Sequence, residues 1–303
     1  MARWTTANIP DQGGRAAVVT GPSGLGYETA LALAMAGAEV IVAGRNPDKG
    51  AAAVSAILKA APLAKVRFEP LDLASLASVA AFGSRLQSQR QSLDLLINNA
   101  GVMTPPTRRT TADGFELQLG VNYLGHFALT GRLMPLLKRG RAPRVVTLSS
   151  IAARNGAINL GDLNAQSGYR PMAAYSQSKL ACLMFALELQ RRSATSGWGV
   201  NSIAAHPGVS RTDLLLNAPA RFSLERFIRR GLPFLFQPVA QGALPTLYAA
   251  TSAQAEGGQY YGPDRMGETR GYPARAKTPP QARDEMVAER LWSLSEDLAG
   301  VRF

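Results

Sequence analysis

The chain has 303 residues, 46% of them hydrophobic, and its 33 Lys and Arg against 21 Asp and Glu give a formal net charge of 33 − 21 = +12. This composition excludes disorder as the default, and a single cysteine, Cys182, excludes an internal disulfide framework and fits a reducing compartment such as the cytoplasm. His126 and His206 make no usual metal cluster with that cysteine, no charge-free apolar run approaches the roughly 18 residues of a membrane span, and the scattered basic residues carry no nucleic-acid-binding signature.

Residues 1–14 read as an N-terminal arm without the apolar core of a signal peptide. Arg15 to Thr20 is a short apolar run, as expected of a strand buried on both faces. Gly21-Pro22-Ser23-Gly24-Leu25-Gly26 follows, then a helical stretch from Tyr27 to Ala36 and a second strand from Ala38 to Gly44. In that strand–turn–helix context glycines let backbone approach a pyrophosphate, and the helix N-terminus offers free N–H groups. Arg45 closes the second strand, with Lys49 nearby and no acid before Asp48. An acid at this place suits a ribose 2′-OH; a guanidinium suits a 2′-phosphate.

The alternation continues with a helix over Pro47 to Ala60, a strand from Lys65 to Leu71 ending at Asp72 and Leu73, and a helix over Ser75 to Gln89. A strand from Leu93 to Ile97 runs into Asn98-Asn99-Ala100-Gly101. Asp113 and Glu116 have capping-box spacing ahead of a helix spanning Phe115 to Arg139. A strand from Arg144 to Leu148 ends in Ser149 and Ser150, a helix covers Met172 to Arg192, and a strand from Val200 to Ala205 ends in His206-Pro207-Gly208. Strands separated by helices predict an α/β, doubly wound parallel sheet, a Rossmann fold of about seven strands, in a single domain over residues 15–303. The seventh strand is Gln259 to Gly262, and further helices are expected over Gln241 to Ala250 and Gln281 to Leu298. The segment 208–240 mixes large apolar and basic residues and reads as a substrate lid, with peripheral membrane binding as its alternative.

In the helix from Met172 to Arg192, Tyr175 and Lys179 are i and i+4 and share one face. An ammonium beside a phenol favours the phenolate, which makes the phenol a usable proton donor or acceptor near neutral pH. Asn122 is a poor mid-helix residue inside an otherwise good helix, a local violation that points to function.

Together, Asn98-Asn99-Ala100-Gly101, the strand-ending serines and the Tyr175/Lys179 pair resemble the short-chain dehydrogenase/reductase family, from about Arg15 to Ala299. The similarity is greatest to retinol-dehydrogenase-like members, through Asp113 to Glu116, Leu119 to Phe127, Ala205 to Val209 and Glu289 to Trp292. The resemblance implies an NAD(P)(H)-dependent oxidoreductase acting on an alcohol/carbonyl pair. It implies that Tyr175 is the general acid, that Lys179 assists it and binds the nicotinamide ribose, that Ser150 rather than Ser149 orients the substrate oxygen, and that Asn122 holds a water linking Lys179 to solvent. It implies cofactor contacts from Gly21, Ser23, Gly24, Leu25, Gly26, Arg45, Asp72, Leu73, Asn99, Ala100, Gly101, Tyr175, Lys179, Pro207, Val209 and Thr212. His126 and His206 stay outside the chemistry, with His206 shaping the turn beside the nicotinamide.

The glycine-rich loop departs from the family pattern: it is one residue shorter, and Pro22 stiffens it. Arg45 favours NADP(H), with NAD(H) left open. The expected substrate is a small apolar alcohol or carbonyl of retinoid, steroid or lipid type, nucleic acid is not expected as a partner, and peripheral membrane contact and homo-oligomer formation are left open. The alternatives are a nucleotide-binding sensor or scaffold of the same fold, whose mark would be a lost Tyr or Lys, and a basic protein of membrane surfaces.

Overall fold

The apolar runs form the strands of one sheet, and the computed structural model describes residues 3–210 and 237–303. The strands are β1 (Ala16–Thr20), β2 (Glu39–Gly44), β3 (Val66–Pro70), β4 (Leu95–Asn98), β5 (Arg144–Leu148), β6 (Asn201–Ala205), β7 (Tyr260–Arg265) and β8 (Arg270–Arg275). Their order is β3-β2-β1-β4-β5-β6-β7-β8, parallel throughout except that β8 runs antiparallel to β7. Successive side chains on a strand point to opposite faces, and both faces are covered. Ala16 and Val18 of β1 pack under α3 (Leu76–Gln89), α4 (Gly125–Leu137), α5 (Pro171–Thr195) and α7 (Glu285–Ala299). Ala17 and Val19 pack under α1 (Leu25–Met35), α2 (Pro47–Ala60) and α6 (Val239–Thr251). The sheet is therefore doubly wound, with one more strand than the sequence pattern suggests.

Local chemistry sets the helix starts. The Asn46 side chain accepts the Lys49 N–H with Pro47 in the first turn, and Ser75 accepts from Ser78 in the same way. The Asp113–Glu116 capping box does not form as expected. Asp113 Oδ2 accepts the Leu76 N–H at the start of α3, 2.9 Å away, while the Glu116 carboxylate accepts the N–H groups of Gln118 and Leu119. The helical stretch that follows begins with a π-helical segment, Leu119–Leu124, before α4 proper. The expected helix over 281–298 is likewise divided: Pro280–Arg283 is a 3₁₀ turn, and Asp284 caps α7 by accepting the Val287 N–H. The arm packs on α6, where Trp4 meets Tyr248 edge-on with centroids 5.4 Å apart.

Helix α7 covers α4 and α5 with an aromatic cluster. Trp292 stacks on Phe185 at 5.7 Å, meets Phe127 edge-on at 5.0 Å, and lies 4.5 Å from Phe303. The Arg192 guanidinium sits over the Trp292 ring, 4.6 Å from its centroid. Deleting a fully buried aromatic of this kind costs about 3–5 kcal/mol. Trp292→Ala should lower the free energy of unfolding in urea by about that amount, while Met286→Ala on the exposed face of α7 changes it by less than about 0.5 kcal/mol.

Candidate active site

The site grows from the carboxyl ends of the central strands, where β1 and β4 lie side by side and the chain departs to opposite faces of the sheet. Thr20 Oγ1 accepts the N–H groups of Asn99 and Ala100 at 2.9 and 3.0 Å, and Asn99 Nδ2 donates to the Thr20 carbonyl at 2.7 Å. The glycine-rich loop is fixed over this junction. Gly21 (φ 93°) and Gly24 (φ 56°) occupy backbone conformations that other residues rarely adopt. A Cβ at Gly26 would lie 2.0 Å from the Gly21 carbonyl, so α1 can approach the loop only because that residue is glycine. The shortened loop rests on the end of β2, with Pro22 Cδ 2.8 Å from where a Gly44 Cβ would sit. Gly24 caps α1 without a side chain, which leaves the first N–H groups without a side-chain acceptor.

A cleft of about 630 Å³ runs along these strand ends. Thirteen of the expected cofactor residues line it: Gly21, Ser23, Gly24, Leu25, Arg45, Asp72, Leu73, Asn99, Ala100, Gly101, Tyr175, Lys179 and Pro207. Gly26 does not; it serves the packing of α1. Val209 does not either, and its N–H donates to the Thr269 carbonyl. Thr212 and most of the expected lid segment lie outside the described residues. Among the described lining residues the basic side chains are Arg45, Lys49, Arg109 and Lys179, against the carboxylate of Asp72. An apolar wall of Val102, Met103, Pro105, Pro106 and Leu117, from the stretch between Gly101 and the π-helical segment, carries no motif of its own, and Val121 of that segment joins it.

Helix α5 brings Tyr175 and Lys179 to the cleft, both buried apart from their cleft faces. Lys179 Nζ donates to the Leu148 carbonyl at 3.0 Å. The two serines divide their work: the Ser149 hydroxyl donates to the Lys179 carbonyl at 2.7 Å, whereas Ser150 Oγ accepts the Ala152 N–H. Ser149 is buried and lines the cleft with its hydroxyl committed to that carbonyl; Ser150 is half-buried and is not among the residues lining the cleft. Asn122 lies in the π-helical segment, the type of local irregularity found at functional sites. Its Oδ1 accepts the Val102 N–H at 2.7 Å, and its Nδ2 donates to the Val102 carbonyl and to Ser178 Oγ, each at 3.0 Å. The amide is thus engaged by protein groups and clamps the backbone after Gly101. A Cβ at Gly101 would lie 3.1 Å from Asn122 Oδ1 and 3.7 Å from Lys179 Nζ, so these groups converge there. Cys182 is a core residue: its Sγ donates to the Asn122 carbonyl at 3.1 Å, and burial pushes the thiol up.

His126, four residues after Asn122 and so on the same helical face, ties these parts together. Nδ1 pairs with the Asn122 carbonyl at 3.0 Å, and Nε2 with Thr20 Oγ1 at 2.9 Å. A carbonyl only accepts, so Nδ1 carries the proton and Nε2 accepts from Thr20. Burial pushes His126 down to about 4. An imidazolium would have to donate to a Thr20 oxygen that already takes two N–H groups. Between pH 6.5 and about 4 the unfolded chain binds a proton at this residue and the folded chain does not, so stability falls as the pH drops through that window. Urea unfolding at pH 7 and pH 4.5 should show a loss of stability about 2–3 kcal/mol larger in the wild type than in His126→Asn.

Three comparisons bear on this geometry. The family model described as short chain dehydrogenase matches residues 15–221. The chain is 42% identical over 300 residues to polyprenol dehydrogenase of Mus musculus, covering 96% of this chain and 86% of that protein. It is 41% identical over 303 residues to retinol dehydrogenase 13 of the same organism, covering 97% and 86%. A crystal structure of an uncharacterised protein from Mycobacterium paratuberculosis is similar with a TM-score of 0.83 and 40% identity, covering 100% of this chain and 99% of that one. The NADP active-site complex of Pseudomonas aeruginosa RhlG shares the fold, with a TM-score of 0.63 at 23% identity over 82% of this chain and 94% of that one.

Proposed function

The chain belongs to the short chain dehydrogenase family, among its retinol-dehydrogenase-like members, and we propose that it is an NADP(H)-dependent oxidoreductase that interconverts an apolar alcohol and its carbonyl. The observation that carries this reading is one cleft lined at once by the glycine-rich loop, by Arg45 and by the Tyr175/Lys179 pair.

The cleft fits a nicotinamide dinucleotide. Its loop leaves no room for side chains at Gly21, where a Cβ would sit 3.0 Å from Asn99 Nδ2. The first turn of α1 offers uncapped N–H groups, and Asn99 Oδ1 is buried without a hydrogen-bond partner. Gly21 to Leu25 would hold the pyrophosphate, Asp72 and Leu73 the adenine end, and Lys179 the nicotinamide ribose. Arg45 is exposed at the rim and forms no ion pair among the described residues, so its guanidinium is available to a 2′-phosphate. Lys49, one turn into α2, adds a second cation to the same rim. When bound, the nicotinamide supplies a hydride to the carbonyl carbon or accepts one from the alcohol.

The protein's own groups handle the proton. Tyr175 gives its hydroxyl proton to the carbonyl oxygen in reduction and takes it back in oxidation. Lys179, one helical turn on, brings its ammonium to the same cleft. Ser150 donates a hydrogen bond to the oxygen on which charge develops. Asn122 keeps the Gly101–Val102 backbone against Lys179. The apolar wall from Val102 to Val121 suits a hydrocarbon substrate, in keeping with relatives named for retinol and polyprenol.

Calorimetry with NADPH and NADH, followed by a panel of apolar alcohols and aldehydes read at the nicotinamide absorbance, tests the reading. Tyr175→Phe should abolish turnover and leave NADPH binding intact; Lys179→Met should impair both. Full activity in Tyr175→Phe would exclude this mechanism. A hydrogen bond to a charged group contributes about 1.5–3 kcal/mol, so Arg45→Ala should weaken NADPH at least about tenfold while NADH changes little. Equal wild-type affinities with a neutral Arg45→Ala would overturn the cofactor preference alone.

A further inference from the structure

The hairpin joining β7 to β8 is bent in an unusual way. Met266, Gly267 and Glu268 take φ values of 49°, 65° and 70° in succession, and two of the three are not glycine. For Met266 and Glu268 such conformations are strained, and they persist where the surroundings over-determine them. Here they carry the Glu268 carboxylate under the cleft wall. Glu268 Oε2 receives His206 Nε2 at 2.9 Å and Arg154 Nη2 at 2.6 Å, and Oε1 accepts the Lys277 N–H at 3.0 Å. His206 is fully buried, and its ring lies 5.0 Å from that of Tyr260, whose hydroxyl donates to the Ser150 carbonyl at 3.3 Å.

The other imidazole nitrogen decides what this cluster does. The Gly208 N–H points at His206 Nδ1 at 3.2 Å, and a backbone N–H can only donate, so Nδ1 is unprotonated. Nε2 therefore carries the proton and donates a hydrogen bond to the Glu268 carboxylate. Gly208 belongs to the turn Pro207-Gly208-Val209, and Pro207 lines the cleft beside Tyr175 and Lys179. The same hairpin holds the turn's far end, since the Thr269 carbonyl accepts the Val209 N–H at 2.7 Å. The groups facing the His206 ring are Glu268, Arg154 and Tyr260; burial pushes His206 down against the pull of Glu268, in keeping with a neutral ring.

We propose that Glu268, acting through His206, is a positioning residue for the active site: it locks the Nε2–H tautomer of His206, which holds the Gly208 N–H and so fixes the Pro207 wall of the cleft. The consequence for ligand binding rests on the dehydrogenase reading, whereas the tautomer does not.

Long-range proton–nitrogen spectra of the histidine-labelled, ligand-free full chain test the first part. The His206 signals should be those of the Nε2–H tautomer from pH 6 to pH 8, and an Nδ1–H tautomer or an imidazolium at pH 7 would overturn the proposal whatever the protein binds. Glu268→Ala should give mixed tautomers, shift the Gly208 amide resonance, and raise the NADPH dissociation constant about tenfold, equivalent to about 1.4 kcal/mol. Arg275→Ala, which removes the exposed pair between Arg275 of the same hairpin and Glu256, should leave that constant unchanged. Histidine signals and NADPH affinity that do not move in Glu268→Ala, in a protein whose wild type binds NADPH, would equally overturn the proposal. A wild type that binds no NADPH but shows the expected tautomer and its loss in Glu268→Ala would refute the cofactor reading and leave the lock standing.

Discussion

The joint between β1 and β4 is the constraint on which the rest of the structure depends. One hydroxyl, that of Thr20, accepts two backbone N–H groups from Asn99 and Ala100 and gives its own hydrogen to His126. That leaves this oxygen no spare capacity. The glycine-rich loop starts at this point, the Asn99–Gly101 segment ends on it, and the π-helical segment carrying Asn122 is tied to it through His126. The cofactor half and the proton-transfer half of the cleft thus share a single hydrogen-bonded junction. A parallel sheet changes direction there, so neither half can shift without breaking bonds in the other.

Much of this was legible in the sequence because its signals are local. An apolar run between a turn and a helix is a buried parallel strand almost wherever it occurs, and the bounds of α2 and β5 follow from residues inside those elements. The Tyr175/Lys179 pairing follows from helical spacing alone, and their shared cleft from the rule that ligands bind at the carboxyl ends of strands. Where the reading missed, the deciding partner lay far away in sequence. Asp113 has the spacing to cap its own helix and instead accepts the Leu76 N–H at the start of α3, a partner 37 residues away in sequence. Strand β8 was not seen because Gly271 and Pro273 argue against a strand; it tolerates them as an edge strand paired only with β7. Asn122 stands out in the sequence as a misfit in a helix, but which partners use its amide depends on Val102 and Ser178 from other elements.

The glycine-rich loop shows how a departure from a family pattern can be absorbed locally. Pro22 lies against Gly44, and only the absence of a side chain at Gly44 allows the contact. The loop closes against the strand end that presents Arg45, so loop length and rim charge act on the same corner of the cleft.

The cover that α7 provides for α4 and α5 also has a consequence in time. Some 90 residues separate the end of α5 at Thr195 from the start of α7 at Glu285. At about 5–20 residues per second of synthesis, that interval is about 5 to 18 seconds. Collapse of a chain takes at most about 100 µs. The emerging chain therefore holds Phe127 and Phe185 without their native partner Trp292 for a period many thousand times longer than it needs to compact. Assembly of this core is paced by the ribosome, and its nascent form is an apolar surface awaiting the last helix.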